Sequence, residues 1–230
     1  MEGFILLTRI VTTALLSGFT AGILAAVLQF FLVQPLLLHA ELFESGNLTH
    51  FGSTTLGTAA HTTWSVVDPM REALSVVFTA LTYTGYSFML VAGLAFAVSR
   101  GHHVTLRNGI IWGIAGFVTV QLAPAMGLPP ELPGAGAADV TTRQVWWFAT
   151  VAATGWGLWL IAFGQSNFSW VFGVTALAIP HIIGAPEPDI LTGPVPPEIA
   201  AHFASRSLGT GLAAWAILGA SCSYFWNKGA

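Results

Sequence analysis

Long apolar runs separated by isolated charges set the pattern of this chain. The first run is Ile10–Leu38. The second lies between Glu72 and Arg100, and the third between Arg107 and Glu131. Each approaches or exceeds the ~20 apolar residues that carry a helix across a hydrocarbon core. The uncharged stretch from Arg143 to Glu187 is too long for one helix and too short for three. Its middle, Gly164-Gln165-Ser166-Asn167, is turn chemistry, so it divides into Gln144–Phe163 and Phe168–Gly184. The second part is short and carries Pro180. A last run, Ser207–Trp226, brings the predicted transmembrane helices to six, near 10–38, 73–99, 108–128, 144–163, 168–184 and 207–226. No strand-period alternation competes, which argues against a β-barrel. Glu2 and Arg9 cancel, and the first run is too long for the apolar region of a signal peptide. The expected fold is all-α, a polytopic membrane helical bundle forming a single domain over 1–230.

Composition narrows the function. Only 7 % of the side chains are charged, 54 % are apolar and the mean hydropathy is +0.73. So few polar groups cannot cover a water-facing surface. That excludes a soluble globular enzyme and a disordered protein. Seven Lys and Arg spread along the chain leave no basic patch, so nucleic acid is not an expected partner. One cysteine excludes a disulfide framework and a cysteine-type zinc site. No GxxxxGK[ST] phosphate loop, GxSxG elbow or HExxH pair occurs, so no enzyme is expected.

The charges that remain are unevenly placed. With the N-terminus inside, Arg9, Arg100, Arg107 and Lys228 lie on the inner side, and Arg71, Arg143 and Arg206 on the outer side. Glu41, Glu44, Asp68, Glu72, Glu131, Asp139, Glu187, Asp189 and Glu198 all fall outside. Such a face attracts cations. It is equally the solvated charge that any membrane protein needs.

The three outer hairpins are alike in sequence. Gln34-Pro35 precedes Glu41, Pro124 precedes Glu131, Pro180 precedes Glu187, and each following span opens at Arg71, Arg143 or Arg206. This predicts three parallel hairpin repeats about an axis along the membrane normal. Each Pro frees carbonyls in the last outer turn, and such groups need a partner at that depth. Proline and glycine also end helices without any repeat. The small-residue pairs Gly18-x-x-x-Gly22 and Gly109-x-x-x-Gly113 predict close helix approach.

Seven histidines in so apolar a chain raise metal chemistry, since neutral imidazole suits divalent transition metals and carboxylate completes such sites. His39, Glu41 and Glu44 gather where the first span reaches the outer face. His181 follows Pro180 at membrane depth, where an ionisable group is a functional candidate. Glu187, Asp189 and His202 lie in or beyond the loop that follows. His50 and His61 occupy the Ser/Thr/Gly-rich loop Ser45–Thr63, and His102 and His103 sit beside Arg100 and Arg107. Gln29, Gln34 and Gln121 near the outer ends can coordinate or hydrogen-bond. Against all of these stands the ordinary role of an interfacial histidine as a hydrogen-bonded tether. The nine tryptophans fit belts and packing, or a pigment or haem pocket with an axial histidine.

The string Arg107–Gly134, with Gln121-Leu-Ala-Pro-Ala-Met-Gly-Leu-Pro-Pro-Glu-Leu-Pro-Gly134, resembles the CbtA family of cobalt transporter subunits. So do Arg143-Gln-Val-Trp-Trp147, the stretch from Gln29 through Pro35 to Glu44, and Pro180-His-Ile-Ile-Gly-Ala-Pro-Glu-Pro188. The resemblance covers nearly the whole chain apart from Ser45–Thr63. It implies a bacterial inner-membrane protein that takes up Co²⁺ with a small single-span partner, CbtB, bearing a histidine-rich end. Glu41, Glu44, Gln121, Glu131, His181 and Glu187 match by position. His39 stands where the family-like segment has an acidic or small residue.

Two functions follow. One is a divalent-metal permease subunit in which outer carboxylates gather Co²⁺ and His181, with Gln121 or a nearby carboxylate, binds it transiently. The other is an accessory subunit of a larger respiratory or photosynthetic complex, holding lipid, quinone or pigment without transport.

Overall fold

The computed structural model describes residues 2–48, 68–189 and 192–229. His50 and His61 lie outside them. Among the described residues all regular structure is helical. The helices are α1 (Glu2–Leu32), α2 (Gln34–Glu44), α3 (Pro69–Ser99), α4 (Leu106–Phe117), α5 (Ala123–Ala125), α6 (Val140–Phe163), α7 (Ser169–Ile183) and α8 (Pro197–Lys228). A π turn, Val118–Leu122, joins α4 to α5.

Among the described residues five helical stretches are long and apolar enough to cross a membrane: Gly3–Leu32, Pro69–Ser99, Leu106–Ala125, Val140–Phe163 and Pro197–Lys228. This is the polytopic helical bundle the apolar runs predict. The expected fifth span, Phe168–Gly184, is the 15-residue α7. At ~1.5 Å per residue it is roughly 22 Å long, short of a ~30 Å hydrocarbon core. The first apolar run also differs from expectation. It does not continue as one helix to Leu38 but breaks at Val33. Pro35 has no N–H to donate, and the N–H groups of Leu36 and Leu37 both turn to the Val33 carbonyl, at 3.1 and 3.3 Å.

The three outer prolines are handled in three ways. Pro35 sits in the first turn of a new helix, Pro124 follows the π turn, and Pro180 lies inside α7. Arg71 and Arg143 fall in the first turns of α3 and α6, whereas Arg206 lies well inside α8. The hairpins thus share an order of residues while their outer backbones differ.

The chain divides into two compact units. Unit 1 holds residues 1–31, 66–117 and 209–230, and unit 2 holds 32–65 and 118–208. In unit 1, α1 meets α3 through the Gly18-x-x-x-Gly22 face. A Cβ on Gly18 would run into the Thr84 backbone, and one on Gly22 into that of Ala80. α4 meets the C-terminal part of α8 through the second predicted pair. A Cβ on Gly113 would strike the Trp215 carbonyl, and one on Gly219 the Gly109 carbonyl. Van der Waals contact at this range replaces the hydrophobic effect, which cannot drive helices together in lipid. Buried polar ties add to it. Ser87 Oγ and Cys222 Sγ are 3.4 Å apart, and the Arg9 guanidinium donates to the Trp226 carbonyl while lying 4.4 Å from that ring's centre.

In unit 2, α6 and α7 cross at Gly157 and Gly173, where a Cβ on Gly157 would come within 2.7 Å of the Gly173 carbonyl oxygen. The face of α6 buried there carries Trp146, Thr150, Thr154 and Gly157, one residue per turn. The Asp139 carboxylate caps the start of α6 by accepting from the Thr142 N–H at 3.0 Å.

Candidate metal site

All seven candidate ligands, His39, Glu41, Glu44, Gln121, Glu131, His181 and Glu187, lie in unit 2. They come from four separate stretches of sequence, and each stretch is held by a different local device.

The first is the break at Val33. The Leu32 carbonyl, which no longer has the Leu36 N–H, accepts from Arg206 Nη1 at 3.3 Å. This is the protein partner that a proline-freed carbonyl needs within a membrane. α2 then carries His39, Glu41 and Glu44. The His39 ring lies 5.6 Å from that of Phe43. Glu41 is half-buried and Glu44 exposed. Gly134, at a φ of 77° that suits glycine, turns the loop beside Glu44. A Cβ there would sit 3.2 Å from Pro194 Cγ and 3.5 Å from Glu44 Cγ. Glu44 is therefore brought to two loops that are distant from it in sequence.

The second device is the π turn. It carries Gln121, whose Oε1 is buried without a hydrogen-bond partner. π turns recur at functional sites because they re-aim side chains within an otherwise regular helix. The π turn also rests on α6, with Gly155 against the Thr119 methyl group.

The third is the ion pair of Glu131 with Arg143 Nη2 at 2.8 Å, both side chains about 30 % exposed. The fourth is Trp146. Its indole N–H donates to the Pro180 carbonyl at 3.2 Å, and its ring stands edge-on to His181 with centroids 6.1 Å apart. A Cβ on Gly127 would lie 2.8 Å from Trp146 Cη2 and 2.6 Å from Ala185 Cβ. The loops after Pro124 and Pro180 therefore close on one indole. Gly184, at a φ of 88°, ends α7, and the exposed Glu187 follows.

Among the described residues no three His, Cys, Asp or Glu side chains come together as a metal-holding group. Unit 2 holds dispersed donors instead. Buried and unpartnered polar atoms there are Gln121 Oε1, Arg143 Nε and Thr154 Oγ1. Thr154 is instructive. Thr8, Thr12, Thr82, Thr84 and Thr150 each donate to the carbonyl four residues back, the usual relief for a helical threonine. Thr154 does not, though it is fully buried. The sequence leaves Thr154 unmarked and offers Trp146 as belt, packing or the lining of a pigment pocket, within the family-like Arg143–Trp147. Only the spacing Arg143-x-x-Trp146 beside Gly127 could have marked the tryptophan. Gln29, raised as a coordinating residue, lies in unit 1 and accepts from the Thr79 hydroxyl at 3.2 Å.

No curated protein and no solved structure matches the chain. The family model described as "Probable cobalt transporter subunit (CbtA)" matches residues 7–227, nearly the whole length. With its five long apolar helices and a match of that extent, the chain belongs to the CbtA family.

Proposed function

We propose that this chain is the membrane-embedded subunit through which Co²⁺ enters a bacterial cell, and that unit 2 carries the metal. The observation that supports this best is the gathering of all seven candidate donors in one compact unit. That unit holds seven acidic residues against two arginines, whereas unit 1 holds three acids against five basic residues. An acidic excess raises the local concentration of a dication.

Glu41, Glu44 and Glu187 gather the ion at the outer face. Glu131, held by Arg143, adds charge without committing both of its oxygens. His181 and Gln121 then take the ion in turn, through an imidazole nitrogen and an amide oxygen, which suit a borderline metal. Binding through dispersed donors stays weak enough for release, as conduction requires. The chain acts without enzymatic chemistry in an inner membrane, and the short α7, counted with the five long helices as a sixth crossing, brings both termini to the cytoplasm. The partner is a small single-span subunit of the CbtB kind, whose histidine-rich end concentrates the metal.

Cells expressing the chain accumulate Co²⁺, and His181→Ala abolishes the accumulation at equal membrane abundance. Unchanged uptake in that variant rejects the assignment. The accessory-subunit reading draws on a different observation: Glu131 is engaged by Arg143, and His181 packs against Trp146. Co-purification with a respiratory or photosynthetic complex, with no metal uptake, would favour it.

A further inference from the structure

Unit 1 contains an open recess of about 600 Å³ whose lining includes Gln29, Asp68, Arg71, Ser75, Phe78 and Thr79. Its depth in a bilayer follows from α3. Arg71 stands in the first turn of that helix and Arg100 just past its end. Twenty-nine residues of rise separate them, about 43 Å. A bilayer with its headgroup layers is ~40–45 Å thick. Each arginine therefore lies at one headgroup layer. The recess begins at that layer and runs roughly 12 Å inward, to Thr79.

Its chemistry changes with depth. At the headgroup end are Asp68 and Arg71, opposite charges within one turn. Asp68 caps α3 by accepting from the Met70 and Arg71 N–H groups at 3.0 and 3.4 Å, both through Oδ1, which leaves Oδ2 for a cation. Below them Leu74 and Phe78 present apolar surface, 48 % and 65 % exposed. At the inner end the Thr79 hydroxyl donates to Gln29 Oε1. That leaves the Gln29 amide N–H pair able to donate to an ester carbonyl.

We propose that this recess binds one phospholipid with a zwitterionic, ammonium-bearing headgroup, such as phosphatidylethanolamine. The phosphate meets Arg71 and Ser75, the ammonium meets Asp68 Oδ2, an ester carbonyl meets Gln29, and an acyl chain lies along Leu74 and Phe78. Asp68 and Arg71 carry opposite charges, so the mouth of the recess has no net positive charge. An anionic headgroup is therefore disfavoured where a lone arginine would have welcomed it. The proposal depends only on the membrane placement of α3 and is independent of metal transport.

The test is native mass spectrometry of the purified full chain in detergent, reloaded with equal amounts of phosphatidylethanolamine and phosphatidylglycerol. The wild type retains the former over the latter by about fivefold, the upper range for an accessible charge pair. Asp68→Asn keeps the helix cap, because Asn caps as well as Asp. It removes the preference. Ser75→Trp fills the recess and loses the lipid with the fold intact by circular dichroism. Soluble phosphoethanolamine, which lacks acyl chains, does not displace the bound lipid. Equal retention of both lipids by the wild type overturns the proposal. So does an unchanged preference in Asp68→Asn, retention by Ser75→Trp, or displacement by the soluble headgroup.

Discussion

The two units of this chain use the same poor alphabet for opposite ends. Unit 1 has long regular helices, drawn together at glycines where a Cβ would run into the backbone of the next helix. Its polar ties between helices include Ser87 with Cys222 and Arg9 with the Trp226 carbonyl. Unit 2 has a helix break, a π turn, a proline inside a helix and a span of only 15 residues. It also holds the acidic excess and the seven candidate ligands from His39 to Glu187. Irregular backbone at membrane depth is tolerated only where protein or a water-lined path satisfies it. Under the proposed function, the regular unit is the scaffold and the irregular one the working part.

The comparison is broken most forcefully in unit 1. Gly113→Val pushes a branched side chain into the Trp215 carbonyl. Overpacking of a backbone-to-backbone contact costs about 3 kcal/mol or more, so this variant loses its cooperative thermal unfolding in detergent. Gly155→Ala in unit 2 meets only the Thr119 methyl at 3.4 Å and melts with the wild type. Equal melting of both variants would remove the claim that unit 1 is the tightly packed scaffold. A smaller effect sharpens the account of unit 2. Trp146→Phe keeps an aromatic ring beside Gly127 and His181 but loses the hydrogen bond to the Pro180 carbonyl. The cost is about 1 kcal/mol, concentrated at the end of α7. Hydrogen exchange of the amides around Gly184 therefore quickens while those of α3 do not change. Uniform quickening across both units would show that Trp146 supports the whole bundle rather than this corner.

Much of this was legible in the residues. Scarce charge and long apolar runs announce a membrane bundle, since no other solvent suits such a surface. The spacings Gly18-x-x-x-Gly22 and Gly109-x-x-x-Gly113 announce close crossings, and both are used. What was not legible depends on distant partners. The break at Val33 needs Arg206, 174 residues away, to receive the Leu32 carbonyl. The π turn at Val118–Leu122 has no local signal beyond Pro124, because an extra residue in a turn is tolerated only where neighbours pack against it. The role of Trp146 arises from Gly127, Pro180 and Ala185, which meet only in the folded unit. The candidate ligands were readable by type and position, but their dispersal was not, because spacing along a chain does not report separation between loops.

The central claim is that unit 2 carries the metal and unit 1 supports it. Co²⁺ uptake by matched panels of variants, measured at equal membrane abundance, tests this most directly. The unit 2 panel is His181→Ala and Gln121→Leu, and the unit 1 panel is Ser87→Ala and Gly85→Ala, the last of which opens onto empty space. Uptake collapses in the first panel and persists in the second. Persistence of uptake in the unit 2 panel, or its collapse in the unit 1 panel alone, would contradict it.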